Sequence, residues 1–424
     1  MNNLPRNKET GLVEKFRYTT SSIVHDNYKS VFNPNTGFYM RTDDKYTGKD
    51  VFAAPFPELI DIGIMETCVC SGMCQVDCYQ KACDRTGSNM SLSDYQRIID
   101  ECKGKVYQVA LGGAGDPDTH ENFREILEYS AANNIVPNFT TSGIAMTKEK
   151  ADLCRRYCGA VAVSQHSKLR KVVLWKEKNN EHVEKYVDTF AEVHDYLDDD
   201  WSLTDSIGND DEYTYKEIYF ESEISYTYQA IQTLLEAGVK TNIHYVLSAE
   251  SIDEAIVRLE NNAFPKGINA VVFLLYKPVG LGKQDKVLKY TDERLQKFFK
   301  LVEKNNFPFK IGFDSCSCSG LVNFCKEMDF SVVDYCEGGR FSMYISADMK
   351  AFPCSFANQT DTGIDIKSSS IKAAWDKFEY FRERLSNSCL GCSKREYCMG
   401  GCPLLSSITL CNRPERTIQK GLIE

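Results

Sequence analysis

The stretch Leu59-Ile-Asp-Ile-Gly-Ile-Met65 begins a regular alternation of apolar and amphipathic runs along the 424-residue chain. Its β-branched residues predict a strand. Repeated β-α units imply a parallel sheet with right-handed crossovers. About six units favour an α/β fold built as a partial (β/α)6 TIM-like barrel, although a doubly wound sheet has the same periodicity. Further strands are predicted at 106–111, 135–139, 159–164, 240–247, 268–276 and 309–313, and helices at 91–102, 120–134, 148–158, 228–237, 252–261 and 292–305.

Two segments interrupt this alternation and suggest how the chain is divided. Residues 1–58 are polar, with turn residues at Asn33-Pro-Asn-Thr-Gly37, and predict a small cap or hairpin. Residues 168–226 are rich in Asp and Glu. An insertion of this length is typical of a lid or partner-binding element, with a solvated surface excursion as the alternative. We therefore expect a cap (1–58), a barrel (59–313) carrying the acidic insertion, and a cysteine-rich C-terminal domain (314–424).

The composition argues against several classes of protein. A net charge of −10 without any basic run argues against a nucleic-acid-binding surface. No apolar stretch is long enough to cross a membrane, and the N-terminus lacks the apolar core of a signal peptide. Eighteen cysteines in a chain without an export signal indicate metal ligands rather than disulfides. These features predict a cytoplasmic metalloprotein.

The cysteines that suggest metal binding fall into two distant groups. Soft thiolates grouped in this way suit iron–sulfur clusters. A group of three cysteines leaves one iron of a [4Fe-4S] cluster without a protein ligand, as catalytic zinc sites also keep an open position. A zinc site completed by Cys68 or Cys83, and a C-terminal zinc ribbon, are the alternatives. The first group is Cys70, Cys74 and Cys78; the second is Cys336, Cys354, Cys389, Cys392, Cys398, Cys402 and Cys411.

The first strand, the three N-terminal cysteines and the following Tyr79 resemble the start of the radical S-adenosylmethionine (SAM) enzymes. The resemblance implies that the open iron binds SAM and that the reduced cluster cleaves it to a 5′-deoxyadenosyl radical. The family's usual spacing is C-x3-C-x2-C, with an aromatic residue before the last cysteine. Here the spacing is C-x3-C-x3-C and Asp77 takes the aromatic position, so Cys68 or Cys83 could replace one ligand.

Later segments resemble the SAM contacts of the same family. Gly112, Gly113 and Asp116 stand where the family has a Gly-Gly-Glu motif, although a glycine-rich turn is the plain alternative. Ser142 resembles the family's ribose contact, and Ser164 a further SAM contact. All of them follow or end predicted strands, and the strand ends of barrel enzymes carry the chemistry.

The C-terminal cysteines resemble the SPASM domain, which binds two auxiliary [4Fe-4S] clusters. The resemblance implies that Cys336, Cys354 and Cys402 ligate the first auxiliary cluster. A fourth ligand is expected upstream, where Cys325 is favoured over Cys316 and Cys318, unless that iron is left open for substrate. The second auxiliary cluster is then ligated by Cys389, Cys392, Cys398 and Cys411.

Enzymes with this domain mostly modify peptides or proteins by crosslinking or oxidation. We therefore expect a peptide maturase that uses SAM, three [4Fe-4S] clusters and an electron donor such as flavodoxin or ferredoxin. A small-molecule substrate, or a non-catalytic iron–sulfur or zinc scaffold, is the alternative. No catalytic acid or base is predicted, because lone histidines are more often structural. Speculative pocket residues at strand or helix ends are His120, His166, His244 and Lys277.

Overall fold

The structure is a computed structural model. It describes residues 4–25, 28–43, 51–69, 77–177, 183–186, 208–209, 213–221, 225–330, 333–359, 362–386, 389 and 391–412. Among these residues no helix is long and apolar enough to cross a membrane.

The N-terminal segment forms a three-stranded antiparallel sheet of β1 (Ser21–Val24), β2 (Tyr28–Asn33) and β3 (Phe38–Asp43). The turn between β2 and β3 lies at the predicted Asn-Pro-Asn-Thr-Gly sequence. Phe32 and Tyr39 pack against Tyr107 of the barrel, at ring-centroid distances of 5.4 and 6.0 Å. The sheet therefore packs where two of the barrel strands begin.

Arg41 of β3 joins this sheet to the C-terminal region. Its guanidinium lies 3.0 Å from Glu58, 3.0 Å from Asp334 and 2.9 Å from Glu337. It also stacks over the ring of Phe341, 3.5 Å from the centroid. Because Glu58 is only 5% exposed, this contact places a buried charge pair where the N-terminal sheet meets the C-terminal region.

The first half of the barrel alternates strands and helices as the sequence predicts, with bounds shifted by a few residues. Ser91 caps the first helix by accepting a hydrogen bond from the Asp94 N–H at 3.1 Å, as its sequence pattern indicates. The elements are β4 (Leu59–Met65), α1 (Leu92–Cys102), β5 (Gln108–Gly113), α2 (Phe123–Ala132), β6 (Val136–Thr141), α3 (Lys148–Tyr157) and β7 (Val161–Ser164).

The insertion after β7 forms its own four-stranded antiparallel sheet, in the order β10-β11-β8-β9. Its run Asp198-Asp-Asp200 lies outside the described residues. The strands are β8 (Leu169–Glu177), β9 (Val183–Tyr186), β10 (Gly208–Asn209) and β11 (Tyr213–Glu221).

The second half of the barrel completes six β-α units and adds a seventh parallel strand. The parallel strands are ordered β14-β13-β12-β7-β6-β5-β4, which confirms the predicted α/β fold. The elements are α4 (Tyr226–Glu236), β12 (Thr241–Leu247), α5 (Ile252–Glu260), β13 (Ala270–Leu275), α6 (Arg294–Lys304) and β14 (Lys310–Phe313).

The cysteine-rich region extends the same sheet. Its first strand, β15, pairs in parallel with β4, and a hairpin of β16 and then β17 completes ten strands. The elements are α7 (Cys318–Phe324), β15 (Ser342–Ile345), β16 (Lys350–Phe352), β17 (Ile364–Asp365), α8 (Ile371–Asp376), α9 (Glu379–Ser386) and α10 (Arg395–Cys398).

Strand β4 shows how the barrel separates its core from its interior. Ile60, Ile62 and Ile64 are fully buried in one hydrophobic cluster with Ile98 of α1. Side chains alternate along a strand, so Asp61 points to the opposite face. The barrel interior therefore carries a carboxyl group below the strand ends.

Candidate metal centres and cofactor site

The N-terminal cysteine loop enters the described part of the structure at Asp77. Cys70 and Cys74 lie outside the described residues, whereas Cys78 is described and partly buried. Lys286 lies 2.9 Å from the Asp77 carboxylate, and the Tyr276 hydroxyl donates to that carboxylate at 3.2 Å. The hydrogen bond from Lys286 holds the pKa of Asp77 below its usual range. The carboxylate is therefore ionised at neutral pH and ties the loop to the end of β13.

A second contact holds the backbone of the same loop. The N–H of Leu281 donates to the Cys78 carbonyl at 3.0 Å. The neighbouring Gly280 has φ +68°, and a Cβ there would lie 2.3 Å from the Tyr79 carbonyl oxygen. Only glycine permits both this backbone conformation and this approach. The loop after β13 thus supports the backbone of the cysteine loop.

The structure brings two of the residues expected to contact SAM into direct contact. The Ser142 N–H donates to Asp116 at 2.9 Å, and the Ser142 hydroxyl donates to the second oxygen of the same carboxylate. Gly113 has φ +121° and lies against the backbone of Met65, whereas a Cβ on Gly112 would meet nothing within 4 Å. Open space therefore lies beside Gly112, where a ligand can approach the backbone.

Ser164 ends the next strand. It pairs in register with His244 of β12, whose Nδ1 lies 3.1 Å from the Thr140 hydroxyl. Burial lowers the pKa of His244 to about 4, although Asp314 opposes this shift. The imidazole is therefore neutral at physiological pH. Its contact with Thr140 crosses the barrel interior from β12 to β6, the strand that leads to Ser142.

Three other polar side chains have different environments. Burial raises the pKa of Asp61 to about 7, so much of this interior carboxyl is protonated near neutral pH. Both ring nitrogens of His120 have backbone partners at 3.0 Å, the Met90 carbonyl and the Asn122 N–H. This arrangement fits a structural histidine. For His166, burial lowers the pKa.

Lys277 follows β13 and is a buried cation, only 7% exposed. Its ammonium lies 2.5 Å from Asp314, donates to the Leu275 carbonyl at 2.8 Å and lies 4.6 Å from the ring centroid of Phe356. The Phe356 ring in turn packs on Tyr79, with centroids 4.7 Å apart. A short row of contacts thus joins the N-terminal cysteine loop to the C-terminal cysteines.

Four cysteines from separate segments meet beside this lysine. The Cys316 thiol is hydrogen-bonded to Cys402, and this contact, with burial, raises the pKa of Cys316. Burial and then the charge of Cys316 raise the pKa values of both Cys336 and Cys354. At Gly338, a Cβ would lie 3.2 Å from the Cys354 Cβ and 3.6 Å from the Cys336 Sγ, so a glycine lets these segments approach. This set of soft donors suits an iron–sulfur cluster.

The remaining C-terminal cysteines form the second group. Cys398 ends α10, and burial and the charges of its three neighbours raise its pKa, opposed by the Gly400 N–H. Cys389 and Cys392 are joined by a turn, in which the Cys392 N–H donates to the Cys389 carbonyl at 3.1 Å. The neighbours of Cys398 are Cys389, Cys411 and Cys392.

The three candidates for a fourth ligand lie in different places. Only Cys316 is in contact with an expected ligand of the first group. Cys325 lies 4.0 Å from the Phe299 carbonyl, where burial raises its pKa to about 12. Cys318 donates to the Tyr397 carbonyl at 3.0 Å and has Cys398 as a neighbour.

Within the described residues, no group of three His, Cys, Asp or Glu side chains is close enough to hold a single metal ion. A four-iron cluster binds each cysteine through a different iron, so its ligands stand further apart than those of one ion. Cysteines that are too far apart to share one metal ion can therefore still ligate a four-iron cluster.

No family model and no curated protein matches the sequence. Solved structures do share its fold. SuiB of Streptococcus suis bound to S-adenosylmethionine has a TM-score of 0.60 at 13% identity, over 92% of this chain and 95% of that one. SuiB bound to the precursor peptide SuiA has a TM-score of 0.59 at 14% identity, with the same coverage. Native anSMEcpe with bound AdoMet and Cp18Cys peptide has a TM-score of 0.50 at 14% identity, over 82% of this chain and 89% of that one.

The chain therefore shares the fold of SuiB and anSMEcpe. In this fold the residues described above lie where parallel strands end, which is where barrel enzymes carry their chemistry. Asp314 and Phe356 were not expected from the sequence. Asp314 had a signal, since it directly follows the last predicted strand and precedes two cysteines, whereas Phe356 had none.

Proposed function

We propose that the protein is a radical SAM enzyme that cleaves S-adenosylmethionine reductively and modifies a peptide or protein. The observation that carries this proposal is the meeting of Cys316, Cys336, Cys354 and Cys402 from four segments of a radical SAM fold. A cysteine loop that follows the first barrel strand supports it further. When bound, the clusters supply the electron that cleaves SAM and accept or relay electrons during the reaction.

Each cluster has a ligand set under this proposal. Cys70, Cys74 and Cys78 hold the SAM cluster, and Cys389, Cys392, Cys398 and Cys411 hold the second auxiliary cluster. Cys316 takes the place in the first auxiliary cluster that the sequence favoured for Cys325, because it is the candidate in contact with Cys402. The first auxiliary cluster then has four cysteine ligands and no iron open to substrate.

The protein's own residues prepare the SAM site. Gly112 leaves room for the cofactor to approach the backbone, and Gly113 brings β5 against the end of β4. Asp116 and Ser142 fix each other's loops by two hydrogen bonds, so both are oriented before the cofactor binds. Ser164 completes the set from the adjacent strand.

A peptide is the substrate class that fits best. SuiB and anSMEcpe, which share the fold, have been solved with peptides. The insertion sheet begins directly after β7, so it is rooted at the edge where the SAM residues lie. We propose that this sheet engages the peptide, with flavodoxin or ferredoxin as the cytoplasmic electron donor.

The test combines iron content with SAM cleavage. Anaerobically reconstituted protein should bind about 12 Fe per chain. It should also release 5′-deoxyadenosine when reduced. Replacing Cys70, Cys74 and Cys78 together with Ala should abolish cleavage and remove about 4 Fe. Zinc in place of iron, or only about 4 Fe per chain, would contradict the proposal.

Two single variants test the revised ligand. Cys316→Ala should lose or destabilise the first auxiliary cluster, while Cys325→Ala should keep all the iron because that thiol packs in the apolar core. The opposite result would return the fourth ligand to Cys325. Iron bound without SAM cleavage would favour a scaffold protein over an enzyme.

A further inference from the structure

Lys277 is a buried cation that lies beside the first group of C-terminal cysteines. Taking an ammonium out of water costs several kcal/mol unless hydrogen bonds and an opposite charge compensate it. Asp314 supplies that charge, and its other oxygen accepts hydrogen bonds from Ser317 at 2.6 and 3.1 Å. Well-packed apolar residues often replace such a pair without loss of stability. The pair therefore invites an explanation beyond stability.

The surroundings of the lysine point to the first cysteine group. Asp314 lies two residues before Cys316, and Phe356 lies two residues after Cys354. The Phe356 N–H donates to the Cys354 sulfur at 3.3 Å. Lys277 thus contacts two of the segments that carry these cysteines. The Asp314 carboxylate at 2.5 Å and the hydrogen bond to the Leu275 carbonyl at 2.8 Å compensate the burial of the ammonium, so the side chain is charged.

We propose that Lys277 is a fixed positive charge that raises the reduction potential of the first auxiliary cluster. The potential of an iron–sulfur cluster depends on the net charge around it, on hydrogen bonds to its sulfurs and on its exposure. A reduced cluster carries one more negative charge than an oxidised one, so a nearby cation stabilises the reduced form. In a buried site this interaction is screened much less than at the surface. Lys277 is a positioning residue in this proposal, which rests on the proposed cluster assignment.

The experiment measures midpoint potentials rather than turnover. The full-length protein carries the Cys70→Ala, Cys74→Ala and Cys78→Ala changes, so that only the auxiliary clusters give EPR signals. Lys277→Met keeps the length of the side chain and removes its charge, whereas Lys277→Arg keeps the charge. Lys300→Met is the control, since that lysine is exposed on α6. The cluster that is lost in Cys316→Ala identifies which signal belongs to the first auxiliary site.

We expect Lys277→Met to shift the potential of that cluster to a more negative value and to leave the other cluster unchanged. Lys277→Arg and Lys300→Met should leave both potentials close to those of the parent. An unchanged potential in Lys277→Met, with the iron content retained, would overturn the proposal. Loss of the cluster from both Lys277→Met and Lys277→Gln would also overturn it, because the lysine would then build the site rather than tune it. Failure of the parent to bind about 8 Fe would instead contradict the cluster assignment itself.

Discussion

Gly280→Ala should disable SAM cleavage, although it adds only one methyl group. The added Cβ would lie 2.3 Å from the Tyr79 carbonyl oxygen and 2.7 Å from the Cys78 carbonyl oxygen. Ordinary contacts of this kind are at least about 3.4 Å, so one loop must move by about 1 Å. A misplacement of about 1 Å can reduce an enzymatic rate about 100-fold. We therefore expect release of 5′-deoxyadenosine by the reduced enzyme to fall by about that factor.

Gly104→Ala is the matched control for this prediction. Gly104 has φ +72°, close to the value at Gly280, but a Cβ there would meet nothing within 4 Å. Both variants carry the same backbone strain of about 1–2 kcal/mol, and only Gly280→Ala displaces the cysteine loop. Both should be compared for iron content and for 5′-deoxyadenosine formation by chromatography. Equal cleavage rates in the two variants would refute the idea that the loop after β13 positions the cysteine loop.

Three further outcomes are expected. Arg41→Met should lower the free energy of unfolding by about 3–5 kcal/mol because it removes the guanidinium that pairs with buried Glu58, whereas the more exposed Arg294→Met should cost at most about 1 kcal/mol; equal urea midpoints would contradict this difference. Because the folded state raises the pKa of Asp61 from 3.8 to about 7, its ionisation removes stability as the pH rises through that interval. Asp61→Asn should therefore be more stable than the parent at pH 8 by up to about 4 kcal/mol, with no difference at acid pH, in urea titrations. Replacing 176–215 with a Gly-Ser linker should spare SAM cleavage and weaken peptide binding in a salt-dependent way, measured by fluorescence anisotropy; unchanged affinity would show that the insertion does not bind the peptide.

Much of the fold follows from the periodicity of the sequence. Strand β4 alternates isoleucines with Asp61 and glycine, so one face packs against helices and the other lines the interior. The insertion was harder to predict because its antiparallel sheet is set by pairing between distant strands. β8 pairs with β11 across a long intervening stretch whose polar sequence has no clear period. The sequence shows how long the insertion is, but it does not show that the insertion forms a four-stranded sheet.

Contacts between residues that follow neighbouring strands were predictable from the sequence. Contacts between residues that meet only through the packing of distant segments were not. Asp116 and Ser142 follow neighbouring parallel strands, so their meeting follows from the topology. Three cysteines lie close together between Cys316 and Cys325, and spacing alone does not show which of them turns toward Cys402. That choice depends on how the segment around α7 packs against residues more than eighty positions later in the sequence. The same holds for Phe356, which reaches both Lys277 and Tyr79 only because the C-terminal hairpin extends the barrel sheet.

Asp77 shows how the loop with the unusual cysteine spacing is held in place. The additional residue in the loop increases the conformational entropy that is lost when the loop folds. Asp77 also has no aromatic ring that could pack against a neighbouring residue. The structure replaces such packing with a carboxylate held by Lys286 and Tyr276, which are only partly exposed or buried. Lys286 also pairs with Glu250 at 2.9 Å, so its position does not depend on Asp77 alone. The expanded loop is therefore fastened at its C-terminal end by an ion pair as well as by the close approach at Gly280, and both contacts come from the single loop that follows β13.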